Sequence, residues 1–83
     1  MIANHKRSFL TYQEEVLVSL VEIGKPVLVA ELQEHMTPGR KRNYQYTYNA
    51  LTNHKHWFKR EWRRWIVTEV GSKHYEEKLY ART

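Results

Sequence analysis

The chain has 83 residues, with 14 Lys or Arg against 9 Asp or Glu and no Cys, for a formal net charge of +5. That length fits one domain over 1–83 with a single small core, and the absence of cysteine excludes disulfides and thiolate metal sites. No apolar run approaches the ~18 residues of a membrane span. MIANHKRSFL holds no apolar run long enough for a signal peptide, so the expectation is a soluble cytoplasmic protein.

Residues 1–9 read as a basic arm carrying His5, Lys6 and Arg7. Thr11 and Glu14 then have the T-x-x-E spacing of a capping box, in which each side chain satisfies an amide of the first helical turn. Val16, Leu17, Leu20 and Val21 follow on one helical stripe, Gly24 can end the helix in a left-handed conformation, and Pro26 stops it from resuming. The spacing predicts a first helix over 12–23. Pro26-Val27-Leu28 suits a brief extended piece. Val29, Leu32 and Met36 predict a second helix with Glu31 and Glu34 facing water, broken sharply at Thr37-Pro38-Gly39.

Residues 42–56, RNYQYTYNALTNHKH, are the third helical candidate. Their propensity is poor, which tertiary packing along one face can override. Thr47, Tyr48, Leu51 and His54 make the expected inner face, while Gln45, Tyr46, Asn49 and Asn53 point away; strand pairing through YQYTY is the competing reading. The periodicity then changes to two. Trp57, Lys59 and Glu61 alternate with Phe58, Arg60 and Trp62, and Trp65-Ile66-Val67-Thr68 is a β-favouring run, predicting a hairpin of strands 57–61 and 65–69. Its tip, near Trp62-Arg63-Arg64, has neither Asn-Gly nor any other glycine to specify a tight turn. A last helix is expected with Ser72 as N-cap and Tyr75 and Leu79 inside.

The order helix, extended piece, helix, helix, hairpin, helix resembles the winged helix-turn-helix domain. Trp65-x-Val67-Thr68-Glu69-x-Gly71 is similar to the aromatic-x-Leu-Thr-x-x-Gly motif that closes the wing in many winged-helix regulators. Val29-x-x-Leu32, followed by a helix with Thr47-x-x-x-Leu51, looks like that family's second and third helices. The resemblance covers roughly residues 11 to 80. It implies a small α+β domain of three helices, a two-stranded wing and a C-terminal helix, with the third helix in the DNA major groove and the wing on the backbone.

The charge distribution suits that expectation. Residues 40–64 hold eight cations (Arg40, Lys41, Arg42, Lys55, Lys59, Arg60, Arg63 and Arg64) against Glu61 alone, a net of +7, whereas the remainder is at −2. Such segregation is the footprint of a polyanion-binding face. On the third helix Arg42, Gln45 and Asn49 recur at spacings of three and four, with Asn53 one turn on. Amides bond adenine in pairs and Arg bonds guanine, so these are candidate readers, flanked by Tyr44 and Tyr46. In the hairpin Phe58, Trp65 and Val67 are expected in the core, Trp57 in it or at its boundary, and Trp62 exposed near the tip.

The expected partner is double-stranded DNA and the expected role that of a small transcriptional regulator, with Tyr75, Leu79 and Tyr80 a candidate homodimer surface. Two rival classes use the same features: an interaction module docking an acidic protein, and an RNA or single-strand binder in which aromatics matter more than amides. Five histidines raise the question of a metal. However, His54 and His56 lie two apart and face different sides of a helix, and no carboxylate has ligand spacing. With no phosphate-cradling loop and no catalytic motif, neither an enzyme nor a cofactor or small-molecule site is expected.

Overall fold

The computed structural model describes residues 10–36 and 42–82. The expected arm over 1–9, the Thr37-Pro38-Gly39 break, and Arg40 and Lys41 lie outside them.

Helix α1 spans Tyr12–Ile23, and both its ends form as their sequence dictates. The Thr11 hydroxyl accepts the Glu14 amide at 3.1 Å and the Glu14 carboxylate accepts the Thr11 amide at 2.9 Å. Gly24, at φ 75°, closes the C-terminus by donating to the Leu20 carbonyl at 3.0 Å. Val16, Leu17, Val18 and Leu20 are buried, making α1 the spine of the core. Helix α2, Val29–His35, presents Leu32 and Val29 to it. Its first turn is held by Glu31, whose carboxylate accepts the Leu28 amide at 2.9 Å. That bond, and then the nearby Arg64, hold the Glu31 carboxyl below its ordinary range.

Helix α3 covers Tyr44–Asn53, shorter than the 42–56 expected and with no sign of the competing strand. Asn43 is its N-cap, accepting the Tyr46 amide at 2.8 Å, and His54 ends it with φ −124°. Its inner side is Thr47, Ala50 and Leu51. Of the expected inner residues, Tyr48 and His54 are only half-buried, and Ala50 takes the inward position instead. The buried Thr47 hydroxyl gathers three elements: it donates to the Asn43 carbonyl at 3.1 Å, pairs with the Tyr12 hydroxyl at 2.6 Å and accepts from Gln33 Nε2 at 3.2 Å. Burial pushes the Tyr12 hydroxyl above its ordinary pKa despite that bond.

Strands β1 (Phe58–Glu61) and β2 (Arg64–Val67) form an antiparallel hairpin with Phe58 opposite Val67 and Arg60 opposite Trp65. Directly opposed residues share a face. Phe58 and Trp65 are therefore buried on the inner face with Val67 half-buried beside them, while Lys59, Glu61, Arg64 and Ile66 lie on the outer one. The extended piece attaches to the free edge of β2: Val27 and Trp65 exchange backbone bonds at 3.0 and 2.7 Å.

Each strand is shorter than expected, and β2 ends where the last helix is capped. Helix α4, Glu69–His74, starts four residues earlier than expected, because its N-cap is Thr68 and not Ser72. The Thr68 hydroxyl accepts the Gly71 amide at 3.1 Å and donates to the His56 carbonyl. The chain continues as a wide π-type turn, Tyr75–Leu79, and a final 3₁₀ turn, Tyr80–Arg82. Among the described residues the architecture is α+β, four helices around one hairpin.

Candidate nucleic-acid interface

The outward face of α3 carries Gln45, Asn49 and Asn53, all exposed, whereas Arg42, expected on the same face, precedes the Asn43 cap and lies outside the helix, exposed. Gln45 Nε2 donates to Asn49 Oδ1 at 2.9 Å, so the two amides are locked together across one helical turn. The pair still has the Gln45 oxygen and the Asn49 amino group to offer, an acceptor and a donor side by side. Asn49 and Asn53 also line a shallow groove with Gln13 of α1 and Tyr46. Tyr46 is fixed there edge-on to Tyr12 at 5.0 Å, with the Arg42 guanidinium carbon 5.8 Å from its ring centroid. Lys55 is exposed in the turn between α3 and β1.

Tyr44 does not flank this face as expected. It lies on the hairpin side of α3, parallel to Tyr48 with ring centroids 6.2 Å apart and planes within 10°. Tyr48 is edge-on to the buried Trp65 at 6.1 Å. Sequence reasoning missed Tyr48, which it assigned to the core, although the i, i+4 tyrosine pair was a readable signal.

The hairpin cations are not equivalent. Lys59 pairs with Glu61 at 3.3 Å, and Arg64 with Glu31 of α2 at 3.0 Å. Arg60 Nε donates to the Trp62 carbonyl at 2.9 Å, and its guanidinium lies over the Tyr48 ring, 6.0 Å from the centroid. Arg63 makes no hydrogen bond or ion pair among the described residues. These pairs are exposed and screened by solvent, weak enough for a polyanion to exchange.

Trp62, the first residue of the two-residue loop, is 95 % exposed and at φ 63°. Positive φ at that position belongs to the II′ hairpin turn, normally a glycine position. In a tryptophan it costs roughly 1–2 kcal/mol. Trp57 and Trp65 behave as expected, half-buried and buried respectively.

The Trp57 ring lies between two histidines, stacked on His54 at 5.0 Å and on His74 at 4.5 Å. His54 Nδ1 and His74 Nε2 are buried without a hydrogen-bond partner. Burial, and then the neighbouring His56, lower the His54 pKa below its ordinary 6.5. Among the described residues no three His, Cys, Asp or Glu side chains converge as metal ligands. None of the described helices is long and apolar enough to cross a membrane. Leu79 is fully buried within the chain, which removes it from the expected homodimer surface and leaves the half-buried Tyr75 and the exposed Tyr80.

No protein-family model, curated protein or solved structure matches the chain.

Proposed function

We propose that the chain binds double-stranded DNA in the manner of a winged helix-turn-helix domain and acts as a small transcriptional regulator. Helix α3 would lie in the major groove and the hairpin along a phosphate backbone. The observation that carries this reading is the coupled Gln45–Asn49 amide pair on the α3 outer face, with Asn53 one turn on and Arg42 exposed just before the helix. Amides without charge have little use on a purely electrostatic surface but can discriminate base edges once phosphate contacts fix the register. Arg63 is the first candidate for such a contact, since it has no internal partner to give up. Arg60, Arg64 and Lys59 would join it by exchanging weak surface contacts for phosphate.

The deciding experiment is fluorescence-anisotropy titration of a random-sequence duplex at near-physiological salt, followed by selection from a random duplex library. Binding to the random duplex, with a consensus emerging on selection, is the expected result. Ala at Gln45 or Asn49 should then cost about 1–3 kcal/mol on the selected site and little on a scrambled one. Arg63→Ala should weaken both duplexes alike and reduce the salt slope by about one. No binding to any duplex would transfer the basic face to an acidic protein partner and end the DNA reading.

A further inference from the structure

We infer that the groove between α2, α3 and the hairpin is a binding site for one unpaired nucleotide, its base stacked on Tyr44 and its phosphate held by Arg63. The inference rests on the nucleic-acid reading above and adds to it a second site with different chemistry.

The groove has a volume of about 380 Å³, and its floor is apolar, formed by Leu28, Val29 and Ala30 at the start of α2. One wall is the parallel pair Tyr44 and Tyr48. The other is the hairpin, with Arg60 and Arg63 on its rim. Three features decide the class of ligand. First, a planar aromatic surface is present and available: Tyr44 is 57 % exposed although its ring belongs to an ordered stack. Exposing a tyrosine face beside an apolar floor has no folding advantage, but it suits any planar ring, and every base has one.

Second, that surface is backed by a packed neighbour, Tyr48. Tyr48 is braced by Trp65 edge-on and by the Arg60 guanidinium, whose Nη1 lies 3.4 Å from the Tyr48 hydroxyl. A ligand stacking on Tyr44 would meet a prearranged platform. Third, the rim is doubly cationic: Arg63, which the duplex reading places on the backbone, would hold the phosphate that joins the unpaired nucleotide to that strand, and Arg60 is directed into the groove. Planar and anionic together describe a nucleotide better than a peptide side chain or a lipid. The volume lies at the low end of ligand clefts, which run from roughly 300 to 1,000 Å³, so it admits a single nucleotide and not a run of them.

Placement on α3 fixes where that nucleotide comes from. Tyr44 and Gln45 are neighbours in the first turn of the helix, one facing the groove and the other facing out. An unpaired nucleotide at the edge of a duplex seated on the Gln45–Asn49 face would therefore lie next to Tyr44. The site would then favour duplex with an unpaired nucleotide at its edge over fully paired duplex.

The test compares a blunt duplex with the same duplex bearing a short overhang, titrated by fluorescence anisotropy, the result being the ratio of the two affinities. The unmodified chain should prefer the overhang by about 5- to 150-fold, the range one base–aromatic stack supplies. Tyr44→Ala should bring the ratio to one and Tyr44→Phe should retain it, whatever either change does to absolute affinity. Gln45→Ala, which alters the duplex face, should lower affinity for both and keep the ratio. A fluorescent 2-aminopurine in the overhang should be quenched on binding to the unmodified chain and not to Tyr44→Ala. A ratio of one in the unmodified chain, with firm blunt-duplex binding, would overturn the groove and leave the duplex reading standing. No binding to either duplex would overturn both, and an overhang preference surviving Tyr44→Ala would place the unpaired nucleotide elsewhere.

Discussion

Gly71→Ala should destabilise the protein even though it replaces a glycine within a helix. The usual expectation is the opposite, since Ala exceeds Gly in helix propensity by about 1 kcal/mol. Gly71 is buried in the first turn of α4, where a Cβ would lie 2.6 Å from the Trp57 carbonyl oxygen, 3.1 Å from Trp57 Cα and 3.3 Å from Leu17 Cδ1. The first distance is shorter than real Cβ contacts ever reach, so something has to move. The Trp57 carbonyl resists, because it accepts the Thr68 amide at 2.8 Å and its ring is stacked between His54 and His74. On the other side Leu17 is fully buried. Overpacking of this kind costs typically 1–3 kcal/mol, and a strained Trp57–Thr68 bond adds up to about another 1. After the propensity gain, the net loss is up to roughly 3 kcal/mol and centred on about 1.5. At about 4–8 °C per kcal/mol for a domain this small, Tm should fall by roughly 6–12 °C.

Urea and thermal unfolding followed by circular dichroism measure the loss, and Gly24 provides the internal comparison. Gly24 needs its positive φ but has room, with only the Val21 oxygen 3.9 Å from a Cβ. Asparagine, which tolerates left-handed backbone, should therefore partly rescue position 24 and not position 71. A Gly71→Ala protein melting at or above the parent temperature would refute the close approach of α4 to the hairpin base.

Trp62→Gly should raise stability by about 0.5–1 kcal/mol, because relief of roughly 1–2 kcal/mol of left-handed strain outweighs glycine's extra unfolded-state entropy; a loss on urea titration would mean the indole is held by packing. Trp65→Ala should cost roughly 3–5 kcal/mol or prevent folding, and a normal melt would show that the inner face of the hairpin carries little of the core. Mild acid should weaken the fold. His54 has a folded pKa below its ordinary 6.5, so its neutral form supports the fold, and that support is lost as pH falls from about 7 through the folded pKa. Melting curves between about pH 8 and 5.5 should show the decline, and His54→Leu should flatten it; an unchanged slope would show that His54 does not carry the effect.

Local chemistry made much of this fold legible. The Thr11–Glu14 capping box and Gly24 bound α1 at the residues expected, and the period-two alternation of Phe58-Lys59-Arg60 put the right side chains inward. The errors are local ambiguities decided by distant atoms. Thr68 looked like one more β-branched strand residue, and became a helix cap because the His56 carbonyl and the Gly71 amide both meet its hydroxyl. Tyr48 looked like core at helical spacing, and moved to the groove because Ala50 filled the inner face and Trp65 offered an edge. No window of sequence pairs Arg64 with Glu31, 33 residues away. The candidate site was legible as residue types and not as a surface: Gln45 and Asn49 could be placed together, whereas the groove beside them needed three elements to close.

Arg60 shows how folding and the proposed function share the same atoms. It occupies an inward-facing position opposite Trp65, where an apolar residue would bury more surface. Instead its guanidinium reaches from the Trp62 carbonyl at the loop to the Tyr48 ring on α3, tying a strained tip to the helix that carries the amide pair. A hairpin of four-residue strands is marginal alone, and this one is fastened at three points. Val27 pairs with its free edge, Thr68 ties its base to the turn before β1, and Arg60 ties its tip. Each fastening runs to a different element, so the orientation of Arg63 relative to α3 is set by the core rather than by the loop. A cation that has to meet a phosphate at a fixed distance from a base edge requires that arrangement. It also accounts for a tip built without glycine: flexibility there would loosen the register between backbone contact and base contact that the rest of the hairpin is fastened to maintain.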